Sequence, residues 1–114
     1  MELPRKSCRL CVYVGETEHH FGRPVYEAIV LKARELGMAG ATVTRGVMGF
    51  GGSSRLHTLK ILRLSEDLPV LVEIIDRRDR IDLLLPFLDE VLVGGLATLE
   101  EVEVLHYRHV TPQA

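Results

Sequence analysis

The sequence predicts an α+β fold of the ferredoxin-like type, in which four antiparallel strands form a sheet and two helices cover one of its faces. Two observations predict it: the apolar patterns follow the order βαββαβ, and no linker or repeat interrupts that order. The chain has 114 residues, of which 46% are hydrophobic, and this suits one domain with a substantial core. We therefore expect a single domain over residues 1–114, with its core between residues 8 and 108.

A strand, a helix and a second strand account for the first half of the chain. Residues 8–14 alternate, are rich in Val and Cys, and predict the first strand. Pro24 follows a polar loop and suits a helix start, because the amide that proline lacks is not needed there. One face of this helix carries Val25, Ala28, Ile29, Ala33 and Leu36. Gly37 is typical of a helix end, and residues 40–50 predict the second strand.

The second half of the chain repeats the order strand, helix, strand. Residues 68–76 predict the third strand, with Pro69 near its start, where a proline is tolerated. The apolar residues of the second helix are Ile81, Leu84, Leu85 and Leu88. Pro86 lies inside this helix and should kink or shorten it. The fourth strand is predicted over residues 96–107, with a break near residues 100–101.

Composition and charge exclude several classes of function. The formal net charge is −2, so the chain has no basic excess for binding a nucleic-acid backbone. It has no apolar run long enough for membrane insertion. The N-terminal segment is charged and has no signal-peptide core, from which we infer a cytoplasmic location. The charged run DRRDR, residues 76–80, alternates in sign and is interpreted as a solvated helix entry. Because the helices cover only one face of an apolar sheet, we expect a closed homo-oligomer.

Cys8 and Cys11 form a C-x-x-C pattern, which in other settings marks redox or zinc chemistry. Both lie in the first predicted strand, where residues three apart point to opposite faces, so one metal cannot bind both. The sequence contains no second cysteine pair. We expect two free thiols that pack as small apolar side chains.

The stretch TRGVMGFGGSSRLH, residues 44–57, holds four glycines within seven residues. Glycine permits backbone angles that are closed to other residues, and it lets main-chain amides approach an anion. The pattern matches neither a P-loop nor a G-x-G-x-x-G fingerprint. From composition alone we favour a flexible turn with Phe50 as a core plug, and anion binding by the amides is the other interpretation.

The run GATVTRGVMGFG, followed by a long loop and then LPVLVEIID, resembles the PII signal-transduction proteins. The similarity is closer to a poorly characterised PII-like family, in which GE, GRP, ARELGMAGATVTRGVMGFG and DLPVLVEIID recur. It covers residues 8–108. The resemblance implies a homotrimer that binds an adenine nucleotide (AMP, ADP or ATP) in clefts between subunits. It also implies signalling to a partner protein, such as a transporter or an enzyme, through a mobile T-loop, here residues 52–67.

The resemblance also assigns a nucleotide-binding role to individual positions. Thr42 matches a Thr that holds the adenine end, and Glu73 matches a Glu that acts near the ligand and the T-loop base. His106 and Arg108 lie where the family has two arginines that reach a neighbouring subunit's phosphates. The remaining positions belong to the T-loop base and to a second, phosphate-cradling glycine loop: Gly46, Gly49, Phe50, Gly51, Gly94 and Gly95. Arg45 either meets phosphate or forms a surface salt bridge.

The sequence departs from the PII pattern around the phosphate positions. Leu96 replaces the usual phosphate-binding Lys, and His106 replaces the first of the two arginines. Charge-assisted hydrogen bonds are the strong ones for phosphate, so these changes weaken triphosphate binding most. We therefore expect AMP, ADP or a cyclic nucleotide to compete better with ATP than in ordinary PII proteins. One extra residue before the Gly-Phe-Gly turn suggests a bulge at Gly46.

Enzymatic and metal-binding functions are the alternatives to nucleotide sensing. We expect no enzyme, because the sequence holds no nucleophile paired with a base, no carboxylate dyad and no metal signature. Hydrolysis of a bound nucleotide by a water that Glu73 orients stays open. The main alternative is a trimeric divalent-metal-binding protein similar to the cation-tolerance family, with His19, His20 and His57 as ligands. A further alternative is a structural trimer whose loop only docks a partner.

Overall fold

The computed structural model of the protein describes residues 3–50 and 68–108. In chain order the elements of these ranges are β1 (Lys6–Gly15), β2 (His19–His20), β3 (Arg23–Pro24), α1 (Val25–Glu35), β4 (Ala41–Arg45), β5 (Pro69–Asp76), α2 (Arg78–Asp82), α3 (Leu85–Val91) and β6 (Leu96–Glu103). The short β2 and β3 form a hairpin inside the predicted polar loop.

The four long strands form one antiparallel sheet in the order β4-β5-β1-β6. The two central strands, β1 and β5, are neighbours in the sheet although they are not consecutive in the chain, as the split βαβ arrangement requires. This confirms the predicted ferredoxin-like fold. The register places Thr42 opposite Glu73, Glu73 opposite Cys11, and Cys11 opposite Thr98. These four residues therefore form one row across the sheet.

An aliphatic core fills the space between the sheet and the helices. Alternate residues of β5 are buried, and the buried set includes Val72 and Ile74 together with Ile29 of α1 and Leu84. Successive strand residues point to opposite faces, so the row that contains Glu73 lies on the face without helices. We call this the open face of the sheet. Its apolar side chains include Tyr13, which is 42% exposed.

Two predicted strands are shorter than expected. The second strand ends at Arg45 instead of residue 50, although the Gly46 amide still donates to the Pro69 carbonyl at 2.7 Å. This bond continues the register of β4 on β5, so the bulge predicted at Gly46 is absent. The fourth strand runs without the predicted break and ends at Glu103 instead of residue 107.

The predicted second helix is two short helices, α2 and α3. Pro86 lies in the first turn of α3, where a proline costs no hydrogen bond. The amide of Leu84 still bonds to the Ile81 carbonyl, and the amide of Leu88 bonds to the Leu84 carbonyl, so the apolar stripe passes through the junction. The proline therefore marks a new helix start and does not kink a continuous helix.

The interpretation of residues 76–80 as a solvated run was wrong at its two ends. Asp76 is entirely buried, and its carboxylate accepts hydrogen bonds from the amides of Ala39 (3.0 Å) and Arg77 (2.7 Å). Arg80 Nη2 donates to the carbonyls of Leu36 (2.6 Å) and Gly37 (3.0 Å) at the end of α1. Its Nε lies 3.6 Å from Asp76 Oδ2. Together these groups fix the corner between α1 and β4.

The Asp76→Ala variant should lose about 3 kcal/mol of unfolding free energy, because it leaves two amides and a partly buried guanidinium without their acceptor. The matched control is Asp89→Ala, which truncates an exposed carboxylate on α3. It should change stability by no more than about 0.5 kcal/mol. Urea unfolding of both variants measures the difference, and equal stabilities would contradict a structural role for Asp76.

Candidate functional site

A concavity of about 580 Å³ lies where β4 begins and β6 ends. Thr42 on β4 and Glu73 and Ile75 on β5 form its floor. One wall is the turn from α1 into β4, which includes Ala39. The other is the segment after β6, which includes His106. We call this space the pocket, and its floor combines the apolar side chain of Ile75 with the polar side chains of Thr42 and Glu73.

The segment that follows β6, residues 104–108, crosses the end of the sheet and is called the strap. Its first residue is held by the bond from the Val104 amide to the Arg5 carbonyl, at 2.7 Å. Near its other end, the Tyr107 hydroxyl donates to the Ala39 carbonyl at 3.3 Å. The strap therefore connects the β6 edge of the sheet to the corner at the start of β4.

The charges around the pocket are largely compensated. The described lining contains the carboxylates of Glu73 and Glu103 but no Lys or Arg side chain. Glu73 lies 4.0 Å from Arg9, and Glu103 lies 3.1 Å from Arg5. Arg9 also pairs with Glu100, whose hydrogen bond and negative charge raise the pKa of the Arg9 guanidinium. The pocket thus offers polar hydrogen-bonding groups without a fixed positive charge for phosphate.

Cys11 lies next to Glu73 on the open face, and burial raises the pKa of its thiol. Cys8 is also buried, and both cysteines are free. The raised pKa keeps Cys11 protonated near neutral pH, and a protonated thiol is a poor nucleophile. The expectation of two packed, unbridged thiols is confirmed.

Three residues of the predicted site come together in the pocket: Thr42, Glu73 and His106. They come from β4, β5 and the strap, which are far apart in sequence. The cross-strand pairing sets Thr42 directly against Glu73, and the strap brings His106 over the same end of the sheet. The exposed Arg108 follows Tyr107 on the strap but is not part of the lining.

The other predicted residues lie at the opposite end of the sheet. Gly46 is four residues beyond Thr42 on the same edge, which corresponds to about 13 Å along a strand. Gly94 and Gly95 precede β6, and the register there places Leu96 opposite Tyr13. Gly51 lies outside the described residues. Within one protomer, the glycine-rich positions are therefore separated from the pocket.

At that end of the sheet, close neighbours and positive φ angles explain why glycine occupies these positions. A Cβ on Gly46 would lie 2.8 Å from Pro69 Cγ, and one on Gly95 would lie 2.6 Å from the Tyr13 carbonyl oxygen. Gly49 has a φ of +155° and Gly95 a φ of +95°, which side chains disfavour. The Gly46 amide is already bonded to Pro69, so it is not available to an anion.

The structure contradicts the interpretation of Phe50 and decides between the two interpretations of Arg45. Phe50 is 71% exposed, so its interpretation as a core plug was wrong and its ring faces solvent in the protomer. Arg45 Nη2 lies 2.6 Å from Glu16 Oε1, which is the surface salt bridge that the sequence left open. This pair already neutralises part of the positive charge that Arg45 could offer to a phosphate.

Within the described residues, the proposed metal ligands His19 and His20 do not belong to a metal-binding cluster. His19 Nδ1 lies 2.6 Å from the Thr17 carbonyl, and the His20 ring packs edge-on against Phe21 with centroids 4.4 Å apart. Residues 3–50 and 68–108 contain no group of three His, Cys, Asp or Glu side chains placed to hold a metal ion. His57 lies outside these ranges.

Sequence reasoning missed three groups that shape the pocket: Ala39, Glu103 and Tyr107. Ala39 contributes backbone atoms, for which a sequence gives no side-chain signal. Tyr107 was included in the alternating pattern of the fourth strand, and an alternating pattern does not show where a strand leaves the sheet. Glu103 was an ordinary strand residue in the same pattern.

The chain belongs to the DUF190 family, described as Uncharacterized ACR, COG1993, whose model matches residues 7–104. Two similar relatives carry the name UPF0166 protein. The one from Aquifex aeolicus is 38% identical over 103 residues, which cover 89% of this chain and 95% of the relative. The one from Methanocaldococcus jannaschii, MJ1524, is 35% identical over 100 residues, which cover 87% and 92%.

Solved structures of PII-like proteins share the fold. One is the PII-like signalling protein TTHA0516 from Thermus thermophilus, with a TM-score of 0.60, 18% identity and coverage of 87% of this chain and 89% of that one. Another is CPII from Thiomonas intermedia K12, a nitrogen regulatory PII-like protein bound to ADP, AMP and bicarbonate. Its TM-score is 0.62, with 12% identity and coverage of 90% and 97%. These structures confirm that the chain has the fold of PII-like proteins.

No helix in the described ranges is both long and apolar enough to cross a bilayer.

The Gly95→Ala variant tests the steric role of the second glycine loop. It should lose about 1–3 kcal/mol of unfolding free energy, because an alanine is strained at this φ and its Cβ meets the Tyr13 carbonyl. Gly40→Ala is the control, since a Cβ at Gly40 meets nothing within 4 Å. Chemical denaturation compares the two. An equally stable Gly95→Ala protein would leave ligand binding as the remaining reason for this glycine.

Proposed function

We propose that this protein is a PII-like regulatory protein that binds an adenine nucleotide (AMP, ADP or ATP) between the subunits of a cytoplasmic homotrimer. Ligand contacts at the glycine turn change the conformation of residues 52–67, and this loop presents the signal to a partner protein. The role is regulatory rather than catalytic. The target is a transporter or an enzyme that binds the ligand-bound conformation of this loop and its ligand-free conformation with different affinities.

The meeting of Thr42, Glu73 and His106 in one pocket carries this proposal. A purine is flat, and Ile75 and the strap give it apolar contact on two sides. The Thr42 hydroxyl and the Glu73 carboxylate accept hydrogen bonds from an exocyclic amine or from ribose hydroxyls. The pocket therefore suits the nucleoside half of the ligand.

The division of the predicted site into two clusters favours a ligand shared between subunits. A nucleotide that occupies the pocket of one protomer meets the glycine turn and Phe50 most simply on a neighbour. The open face supports such an assembly, because Tyr13 and Leu96 expose 42% and 57% of their surface on it. Burial of apolar side chains is the usual driving force for closed homo-oligomers.

The charge distribution favours ligands with few phosphates. The described lining of the pocket holds no Lys or Arg, and Arg45 is paired with Glu16. Glu73 and Glu103 in that lining are paired with Arg9 and Arg5, so the lining supplies no fixed cation for a second or third phosphate. AMP and ADP are therefore preferred over ATP. The structure of CPII with ADP and AMP supports this choice of ligand class by analogy of fold.

Isothermal titration calorimetry with AMP, ADP and ATP tests the proposal. We expect saturable binding in which ATP is not the tightest ligand, and native mass spectrometry should show a trimer. The Thr42→Val variant should weaken AMP binding about fivefold, since it removes one hydrogen bond worth about 1 kcal/mol.

Thr44→Val is the matched control, because Thr44 lies on the same strand and face but outside the lining. It should bind AMP like the natural protein. The proposal fails if no purine nucleotide binds, or if the protein is a monomer. Stoichiometric zinc binding that His57→Ala abolishes, without nucleotide binding, would favour the metal-binding alternative instead.

A further inference from the structure

We propose that Tyr107 is a positioning residue of the pocket, whose hydroxyl latches the strap onto Ala39 and thereby sets how long a nucleoside ligand stays bound. This inference rests on the proposed function for the identity of the ligand. The latch itself is a property of the protomer and is testable without any ligand.

The strap is held mainly by its two anchors. Leu105 is 79% exposed and His106 is exposed, so burial fixes neither of them. The Val104 amide bonds to the Arg5 carbonyl, and this bond only continues the edge of the sheet. The far end of the strap is tied to the body of the protein by the Tyr107 hydroxyl. The Tyr107 side chain is also half-buried, so its hydroxyl adds a directed bond to a ring that already packs on the protein.

The other partner of the latch is rigid. The Ala39 amide donates to the buried carboxylate of Asp76, so Ala39 is bonded through both its amide and its carbonyl. Arg80 fixes two nearby carbonyls that precede it, those of Leu36 and Gly37. Ala39 is therefore a fixed point, and any opening of the latch moves the strap and not the corner.

Opening of the strap removes one wall of the pocket. His106 and Tyr107 both line the pocket, and both travel with the strap. A nucleoside between the strap and the floor formed by Thr42 and Ile75 keeps this wall only while the latch is closed. Because opening of the latch removes contacts from the bound ligand, loss of the hydroxyl should act mainly on the dissociation rate.

The Tyr107→Phe variant removes the hydroxyl and keeps the ring. Its dissociation rate for AMP should rise about fivefold, which corresponds to one hydrogen bond, while its association rate stays within about twofold. Tyr26→Phe is the matched control, because Tyr26 is half-buried on α1 and does not line the pocket. It should leave both rates unchanged. Stopped-flow or surface-plasmon measurements give the two rates separately.

Hydrogen exchange of the free protein gives a readout that a purely structural loss would not produce. In Tyr107→Phe, exchange should accelerate at the Val104 amide, which donates to the Arg5 carbonyl at the start of the strap, and stay unchanged in the central strand β1. In Tyr26→Phe, the strap should exchange at the natural rate. Equal exchange of the strap in the natural protein and in Tyr107→Phe overturns the latch.

The outcomes separate the two proposals. If the natural protein binds no purine nucleotide but the strap of Tyr107→Phe exchanges faster, the ligand assignment fails and the latch stands. If AMP binds but dissociates from Tyr107→Phe and Tyr26→Phe at the same rate, the latch proposal fails and the ligand assignment stands. A fall in thermal stability with faster exchange throughout the sheet would assign Tyr107 a structural role and overturn the positioning role.

Discussion

The buried carboxylate of Asp76 is the interaction on which the shape of the candidate site depends. Asp76 is the last residue of the central strand β5, and its carboxylate accepts a hydrogen bond from the Ala39 amide. Arg80 lies beside it and donates to the carbonyl of Leu36, directly after α1. A buried carboxylate is costly unless it is paired and hydrogen-bonded, and this one is both. Strand, helix and loop are therefore joined at one corner, and the first residues of β4 enter the pocket from a fixed position.

The fold places two different surfaces at the two ends of the sheet. One end carries the pocket, with hydrogen-bonding groups and carboxylates whose charges arginines compensate. The other carries the glycine turn, Pro69 and the exposed Phe50. In the proposed assembly, a ligand that contacts both surfaces would gain from neighbours that bring opposite ends of the sheet together. Binding and oligomerisation are then linked, because each adds contacts that the other requires.

Most of the fold could be predicted from the sequence, because apolar periodicity records burial. Val72 and Ile74 show the alternation of a half-buried strand, and Ile29 lies on a clear helical stripe. The failures have physical causes. Asp76 and Arg80 looked solvated because charge alone does not show that two groups will pair beneath a helix end. The end of β6 was misplaced because residues 104–107 keep alternating after they leave the sheet. For the site, family resemblance supplied Thr42, Glu73 and His106, but the grouping of His106 with the other two in one protomer depends on the path of the strap.

The glycine-rich turn shows why a structural and a functional explanation need not compete. Pro69 fills the space that a Cβ would occupy at Gly46, and it lies close to the Cβ position of Gly49, whose positive φ also favours glycine. The same packing leaves the Phe50 ring in solvent at the entry to residues 52–67. Single exposed aromatic rings are common on protein surfaces, so the exposure of Phe50 does not by itself require a ligand. If the proposed nucleotide binds between subunits, stacking on this ring is the contact that Phe50 would add, while Gly46 and Gly49 would still be needed for packing against Pro69.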